Sequence, residues 1–377
     1  MLDLALRLPF VGPFAKSAQN ESRKAGSYYL EAEPWMLDEV TVTDDAGLSM
    51  SGWVLPPPAG TKVKFSINGK PVEAQFPINR PGMQNIFWQR QNACSSGFRI
   101  KLSESPETLF KNGFVSVRAE YRGQPRKYPF QYDYYLPAAE QDLPLPNEER
   151  RFRVIGTNAL EPFLRGGFTD FMRIKQLTKR ITGKDFSKLR SILDWGVGCG
   201  RVARHFASVK NVQFCGADID GDNIAWCKAN LQFGRFTQLP LFPPTSYANN
   251  EFDLVYGISV FTHLKEEAQD AWLQELQRIT KPGGIVMVTC HGKTTLTYAG
   301  LNKEQMDYLL PLIEENGIYV TAVNDQINEF IDDKEYYVNV NHSQKYIHEH
   351  WGKYFQILDI VPGFIFTHDM VVMRKRR

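Results

Sequence analysis

The chain has 377 residues, enough for two domains of roughly 150 residues each. Its 44 Lys and Arg nearly balance its 42 Asp and Glu, which argues against a polybasic nucleic-acid-binding protein. Hydrophobic residues make up 43% of the chain, a share that excludes a disordered protein.

Signals for export and for metal binding are weak. Residues 1–14 (MLDLALRLPFVGPF) are interrupted by Asp3, Arg7 and two prolines, so this stretch is too short to span a bilayer. The five cysteines form no Cys-x-x-Cys pair, which predicts reduced thiols and no metal site. We therefore predict a cytoplasmic protein, and a shallow contact of residues 1–15 with the inner membrane surface stays open.

Composition divides the chain into four zones. Residues 1–36 form a mixed lead-in, and residues 37–137 show short alternating runs typical of β structure. The polar, proline-rich stretch at 138–150 is the predicted linker. Residues 151–377 alternate between strand and helix patterns, so the zones predict two domains.

The second zone predicts a β-sandwich-like accessory domain. Its clearest strands are Val40–Thr43, Met50–Leu55, Val63–Ile67, Phe98–Leu102 and Phe114–Tyr121. Asn68-Gly69 is a strong hairpin signal, because type I′ turns require positive φ at both central residues. About seven short strands within one hundred residues suggest two small packed sheets.

An aromatic run closes this zone. Tyr128, Phe130, Tyr132 and Tyr134 are spaced to lie on one face of a strand. Such a face could stack on sugar rings or pack against the neighbouring domain. We favour packing, because aromatic side chains dominate cores and interfaces.

The last zone predicts a doubly wound α/β fold. Its predicted strands are Arg190–Asp194, Val212–Asp218, Phe252–Ile258 and Ile285–Cys290. Predicted helices include Phe171–Ile181, Val202–Val209 and Asn223–Phe233, and Pro282-Gly283-Gly284 ends a further helix. Phe355–Ile360 and Asp369–Arg374 are predicted as an antiparallel terminal pair.

A glycine-rich loop follows the first of these strands. Asp194 precedes Gly196, Gly198 and Gly200, where glycines allow close approach of a ligand to the backbone. The dinucleotide pattern G-x-G-x-x-G fails because position 201 is arginine, and no Lys-Ser/Thr pair follows Gly200 as a phosphate loop requires. The alternative is a tight turn without a ligand.

A second acid ends the next strand. Asp218 stands where a carboxylate can accept both hydroxyls of a ribose. Two acids around the glycines suit adenosine joined to a positively charged amino acid better than a pyrophosphate. The alternative for Asp218 is a helix cap, a role that Asp220 or Asp222 could equally fill.

These residues resemble the class I S-adenosylmethionine-dependent methyltransferases. The matching segments are ILDWGVGCGRVARHF, FCGADIDGDNIAWCKANL, FDLVYGISVFTHL and LQRITKPGGIVMVTCHG, in that order. ISVFTHL, a strand ending in His-Gly and the strand Asp369–Arg374 are similar to methyltransferases of bacterial surface-polysaccharide gene clusters. The resemblance implies a Rossmann-like sheet, with S-adenosylmethionine as the cofactor.

The resemblance also implies roles for particular residues. Asp194 and the three glycines would hold the methionyl end, and Asp218 would hold the ribose. Ser259 and Val260 would line the cofactor. The family commonly has an acid near the adenine, but residues 237–246 contain none, so Gln238 or the backbone would substitute.

Histidines are the candidate bases, because an acceptor hydroxyl must lose its proton. His291 follows the fourth strand and is the first choice, and His263 follows the third strand and is the second. The carboxyl ends of parallel strands face the ligand crevice, which places both near it. The alternatives are turn chemistry for His291 and a helix-start position for His263. His368 has a weaker claim, and Tyr336 and Tyr337 would shape an acceptor pocket or belong to the core.

The predicted function is O-methyl transfer to a sugar or glycan. Two alternatives stay open: an acceptor that is a small metabolite or a protein, and a non-catalytic cofactor-binding partner of a glycosyltransferase. No nucleic acid is expected as a partner, a membrane-surface contact stays open, and the sequence does not define the oligomeric state.

Overall fold

The computed structural model describes residues 35–43, 47–56, 62–121, 127–138, 142–323, 333 and 336–377. Most of the predicted lead-in, with the membrane contact proposed for residues 1–15, lies outside these ranges. Trp35 and Met36, predicted as its end, instead begin the first strand. No helix within the described ranges is long and apolar enough to cross a membrane.

The N-terminal part forms two antiparallel four-stranded sheets, with orders β1-β2-β6-β5 and β4-β3-β7-β8. The strands are β1 Trp35–Val42, β2 Leu48–Val54, β3 Val63–Ile67, β4 Lys70–Val72, β5 Gln75–Ile78, β6 Gly97–Leu102, β7 Phe114–Tyr121 and β8 Asp133–Pro137. The helices between them are α1 Met83–Ile86, α2 Pro106–Leu109 and the 3₁₀ helix Pro129–Tyr132.

Side-chain alternation explains why these sheets pack together. Along β7 every second residue, from Val115 to Tyr121, is buried. The inward residues of both sheets, including Met50 and Phe65, share one apolar core. Asn68 and Gly69 connect β3 to β4 with φ of 50° and 78°, the turn that their sequence predicts. The two packed sheets agree with a β-sandwich-like arrangement. The prediction that residues 37–137 form a separate domain stays a prediction.

The predicted aromatic strand face is wrong in its geometry. Residues 129–132 form a 3₁₀ helix, because Pro129 has no N–H to give a sheet and fixes its own φ. Tyr128 and Tyr135 are instead buried in a core that they share with Phe171 of the C-terminal part. The packing interpretation of these aromatics is therefore the one that the structure shows.

The C-terminal part contains the remaining elements in alternating order. Its strands are β9 Ser191–Trp195, β10 Gln213–Asp218, β11 Arg235–Gln238, β12 Phe252–Gly257, β13 Thr280–Cys290, β14 Ile318–Val323, β15 Val338–His342, β16 Gln356–Ile365 and β17 His368–Arg374. Its helices are α3 Glu148–Ile155, α4 Leu160–Thr182, α5 Gly221–Asn230, α6 Glu266–Ile279, α7 Lys293–Tyr298, α8 Lys303–Asn316 and α9 Gln344–Glu349. Short 3₁₀ helices lie at Phe186–Lys188, Ala203–Ser208, Phe261–His263 and Trp351–Lys353.

Seven of these strands form one mixed sheet with the order β11-β10-β9-β12-β13-β17-β16. The first five are parallel, and β17 runs antiparallel to both β13 and β16. β9 is buried along its whole length, as expected for a central strand. The strand order reverses between β9 and β12, and in doubly wound sheets ligands bind at that point. This is a Rossmann-like α/β fold, and the terminal antiparallel pair is confirmed.

Several local predictions differ from the structure. β11 was not predicted, because it has only four residues at the edge of the sheet. Residues 203–208 form a 3₁₀ helix rather than an α-helix, since so short a segment gains little from α-helical bonds. The predicted linker already contains the start of α3, whose N-cap Asn147 accepts a hydrogen bond from the Arg150 amide.

The N-terminal sheets are tied to the C-terminal part by a buried arginine. Arg173 on α4 donates from Nε to the Asp133 carbonyl and from Nη1 to the Phe364 carbonyl, both at 3.1 Å. Its guanidinium also lies 5.2 Å from the centre of the Tyr134 ring. One side chain therefore satisfies backbone acceptors in both parts of the chain.

We expect Arg173→Met to lower the free energy of unfolding by roughly 2–4 kcal/mol, because two buried carbonyls lose their donor. Urea unfolding measures the change. Arg180→Met, an exposed position on the same helix, is the matched control and should change little. Equal stability of the two variants would contradict the proposed tie.

Candidate active site

A cavity opens where the strand order reverses, at the carboxyl ends of β9, β10 and β12. Its walls include the predicted Asp194, Gly196, Gly198, Asp218, Ser259 and Val260. The walls also include residues of α3 and Tyr336 and Tyr337. Gly200, His263 and His291 are not among its lining residues.

The glycine loop needs glycine for two separate reasons. Gly196, Gly198 and Gly200 all have positive φ, a conformation that strains other residues. A Cβ atom on Gly196 would also stand 2.4 Å from Val260 Cγ2, and one on Gly200 would stand 2.4 Å from Leu231 Cδ1. Gly200 therefore serves the turn and the packing behind the loop rather than the cavity wall.

Asp218 holds the glycine loop to the end of β10. Its Oδ2 accepts a 2.7 Å hydrogen bond from the Gly198 amide, and its Oδ1 accepts one of 2.9 Å from the Asp220 amide. Burial raises the pKa of Asp218 to about 6. Asp220, not Asp218, caps α5 by accepting from the amides of Asp222 and Asn223. The helix-cap alternative for Asp218 is therefore excluded.

Asp194 is a buried acid at the end of β9. Its Oδ2 accepts a 2.7 Å hydrogen bond from the Tyr256 hydroxyl. Burial raises the pKa of Asp194 to about 7, and the nearby Arg201 guanidinium opposes the rise. A cation placed beside Asp194 would favour its charged form, so this acid suits an ammonium group.

The side of the cavity predicted to face the adenine has both apolar and polar side chains. Ile219 and Leu239 line it, together with the polar side chains of Asp220 and Asn223. Gln238, the predicted substitute for the missing acid, is exposed and donates to the Ile219 carbonyl instead. Any adenine contact from Gln238 would require that side chain to turn.

A helix that the sequence pattern did not predict, α3, covers the cavity. Arg153 and Val154 of α3 line the cavity, and Val154 lies over Gly198. Arg150 and Arg153 each form a 2.7 Å ion pair with Asp222 at the start of α5. The signal that could have located this helix is Asn147 followed by two glutamates, a common helix start.

Three histidines cluster beside the cavity. His368 Nδ1 lies 3.2 Å from Ser259 Oγ, and its Nε2 lies 3.2 Å from His291 Nε2. His263 stacks on Tyr337 with ring centres 4.3 Å apart. Burial lowers the pKa of His368 to about 3 and of His263 to about 4, and lowers that of His291 strongly. All three imidazoles are therefore neutral at physiological pH.

The predicted bases thus contact lining residues rather than the cavity itself. His291 contacts it through His368 and Ser259, and His263 contacts it through Tyr337. His368 has only a weak claim from the sequence. It lies two residues after Phe366, an exposed turn residue, and this position carries no sequence signal. Within the described part of the chain, no group of three His, Cys, Asp or Glu side chains could hold a metal ion.

The fold and the site together give a Rossmann-like α/β domain with an acid–glycine loop at the switch point of its sheet. Residues 192–284 match a family described as a methyltransferase domain. Residues 192–284 are therefore similar to methyltransferase domains, and the cofactor that this similarity supports is S-adenosylmethionine.

Known proteins show similarity over parts of the chain. Phosphoethanolamine N-methyltransferase 2 of Caenorhabditis elegans is 26% identical over 144 residues, covering 37% of this chain and 31% of that protein. The chain thus spans about a third of that curated relative.

Two solved structures illustrate the structural likeness. Human N-acetylserotonin methyltransferase, in complex with S-adenosylmethionine, is 16% identical with a TM-score of 0.33, over 62% of this chain and 61% of that one. The Burkholderia thailandensis 1,6-didemethyltoxoflavin-N1-methyltransferase is 13% identical with a TM-score of 0.38. The match covers 63% of this chain and 95% of that one.

The raised pKa of Asp194 predicts how stability depends on pH. Its value in the folded protein, about 7, lies above its ordinary value of 3.8, so the protonated acid favours folding and this contribution is lost as the pH rises towards 7. We expect Asp194→Asn to be more stable than the wild type at pH 8.5, by on the order of 4 kcal/mol, and equally stable near pH 4.

Chemical unfolding of the cofactor-free protein across this pH range measures the difference. The exposed Asp307→Asn variant is the control and should follow the wild type at every pH. A constant difference between Asp194→Asn and the wild type would show that Asp194 is already charged in the folded protein.

Proposed function

We propose that this protein transfers the methyl group of S-adenosylmethionine to a hydroxyl of a sugar or glycan. The observation that carries the proposal is the group of neutral imidazoles joined to Ser259 at the cavity wall. A neutral imidazole network is suited to accept the proton that a hydroxyl must lose, whereas a thiol or carboxylate acceptor would need no such group.

The residues around the cavity fit the cofactor. Asp194 would face its ammonium group, Asp218 its ribose hydroxyls, and Ile219 and Leu239 its apolar base. When bound, S-adenosylmethionine supplies a methyl group on a positively charged sulfur, which is a good leaving group. This chain's own contribution is then to orient both partners, exclude water beneath α3 and remove the acceptor's proton.

The glycan acceptor is supported by the resemblance to polysaccharide-cluster methyltransferases and by the β sheets attached to the catalytic part. The aromatic run does not support it, because Tyr128 and Tyr132 are buried. A glycosyltransferase partner, a peripheral position at the inner membrane surface and a cytoplasmic location belong to the same proposal.

The second candidate is methylation of an amine. It is favoured by the similarity to phosphoethanolamine N-methyltransferase 2, whose name states an amine acceptor. The same imidazoles could take a proton from an ammonium group, so the site chemistry allows both reactions.

A labelling experiment separates the two candidates. The full chain is incubated with methyl-labelled S-adenosylmethionine and either a polysaccharide extract or phosphoethanolamine. We expect label in the extract, with a gain of about 14 Da on one saccharide component, the mass of one methylene. Label in phosphoethanolamine alone would replace the first candidate by the second, and label in neither would remove both.

Cofactor binding has its own test. We expect calorimetry to show binding of S-adenosylmethionine to the wild type and a loss of at least about tenfold in Asp218→Ala, because the ribose contact and the anchor of the glycine loop both disappear. Asp142→Ala, an exposed position, is the control. Binding that is equally tight in both variants would contradict the assignment of Asp218.

A further inference from the structure

Ser259 occupies a constrained position between the glycine loop and the histidines. It lies two residues after the end of β12, and its φ of 58° is unusual for a residue other than glycine. Its amide donates a 2.7 Å hydrogen bond to Thr289 Oγ1 on β13, which fixes the backbone there. Its hydroxyl is thus held at the cavity wall with His368 on the other side.

Two contacts connect His368 to its neighbours. The 3.2 Å contact between His291 Nε2 and His368 Nε2 requires one ring to donate and the other to accept. In the arrangement in which His368 donates from Nε2, His291 Nε2 is the acceptor, and His368 Nδ1 accepts the hydroxyl proton of Ser259 at 3.2 Å.

We propose that Ser259 is the catalytic residue that accepts the acceptor's proton, and that His368 positions it and takes up its proton in turn. With its own proton directed to His368, Ser259 presents only lone pairs to the cavity. The acceptor group that contacts Ser259 must therefore be a hydrogen-bond donor. This inference rests on the proposed function and replaces His291 as the base.

The transfer balances in atoms and charge. As the acceptor oxygen forms its bond to the methyl carbon, the carbon–sulfur bond breaks and its electron pair stays on sulfur. The acceptor's proton moves to Ser259 Oγ, and the proton of Ser259 moves to His368 Nδ1. One positive charge leaves the sulfur and one appears on His368, which later releases its proton to water.

The surroundings explain why His368 needs His291. Once protonated, His368 still donates from Nε2 to the neutral His291, whose Nε2 lone pair faces it. That bond persists through the transfer and becomes charge-assisted. His263 is not part of this proton relay, because its Nδ1 is hydrogen-bonded to the Val338 carbonyl.

Nitrogen NMR of the full chain, with ¹⁵N-labelled histidine, tests the proton positions without an acceptor. Signals are assigned with the single variants His368→Asn and His291→Asn. We expect His368 as the Nε2–H tautomer and His291 as the Nδ1–H tautomer, both neutral at pH 7. His368 as the Nδ1–H tautomer would overturn the proposal, because Ser259 would then be the acceptor of that proton.

Turnover tests the role. With methyl-labelled S-adenosylmethionine and polysaccharide extract, we expect Ser259→Ala and His368→Leu each to lower kcat by about 10²–10⁴-fold. The double variant should be no slower than Ser259→Ala, because His368 acts through Ser259. His368→Asn should be as slow as His368→Leu, since its amide oxygen can accept the hydrogen bond from Ser259 but cannot take up its proton.

Binding and stability separate this role from a structural one. The Kd for S-adenosylmethionine, by calorimetry, should stay within about threefold in His368→Leu. His205 is a buried histidine that packs on Phe168 and Phe171 and does not line the cavity, so His205→Leu should lower Tm without lowering kcat. Additive losses, or an equal loss in His205→Leu, would overturn the proposal. Absence of transfer by the wild type would instead overturn the proposed function itself, while the tautomers remain measurable.

Discussion

The hydrogen bond from the Gly198 amide to the Asp218 carboxylate is the interaction on which the site depends. It joins the loop after β9 to the end of β10, and this loop places Gly196 and Gly198 in the cavity wall. Neither partner could be replaced by a larger or apolar group without opening the wall, because Val154 lies directly over Gly198. The geometry of the remaining cavity follows from this one bond.

Two buried acids give the cavity an electrostatic environment that favours a bound cation. Two buried acids, Asp194 and Asp218, have raised pKa values, because burial disfavours their charged forms. A positively charged ligand would reverse that effect and lower both pKa values. His368 and His291 beside the cavity are neutral for the same reason, because burial disfavours their charged forms.

The N-terminal sheets are joined to the C-terminal part through a shared interior. Tyr135 hydrogen-bonds through its amide to Thr169 on α4, and Arg173 bridges the carbonyls of Asp133 and Phe364. A joint built from buried polar contacts is costly to separate, since each freed group would need a new partner. It also explains why aromatic residues that alternate in sequence serve packing rather than an open binding face.

The sequence by itself determined the order of the main strands, the glycine loop and its two acids, because hydrophobic runs and glycine spacing are local properties. Asn68-Gly69 likewise predicted its turn. The short β11, the cover by α3 and the bend at Pro129 depended on neighbours far along the chain. Only the tertiary structure placed His368 against Ser259 and His291, since it brings the first residue of β17 next to residues that follow β12 and β13. Spacing along a chain cannot show which side chains on separate strands share a hydrogen bond.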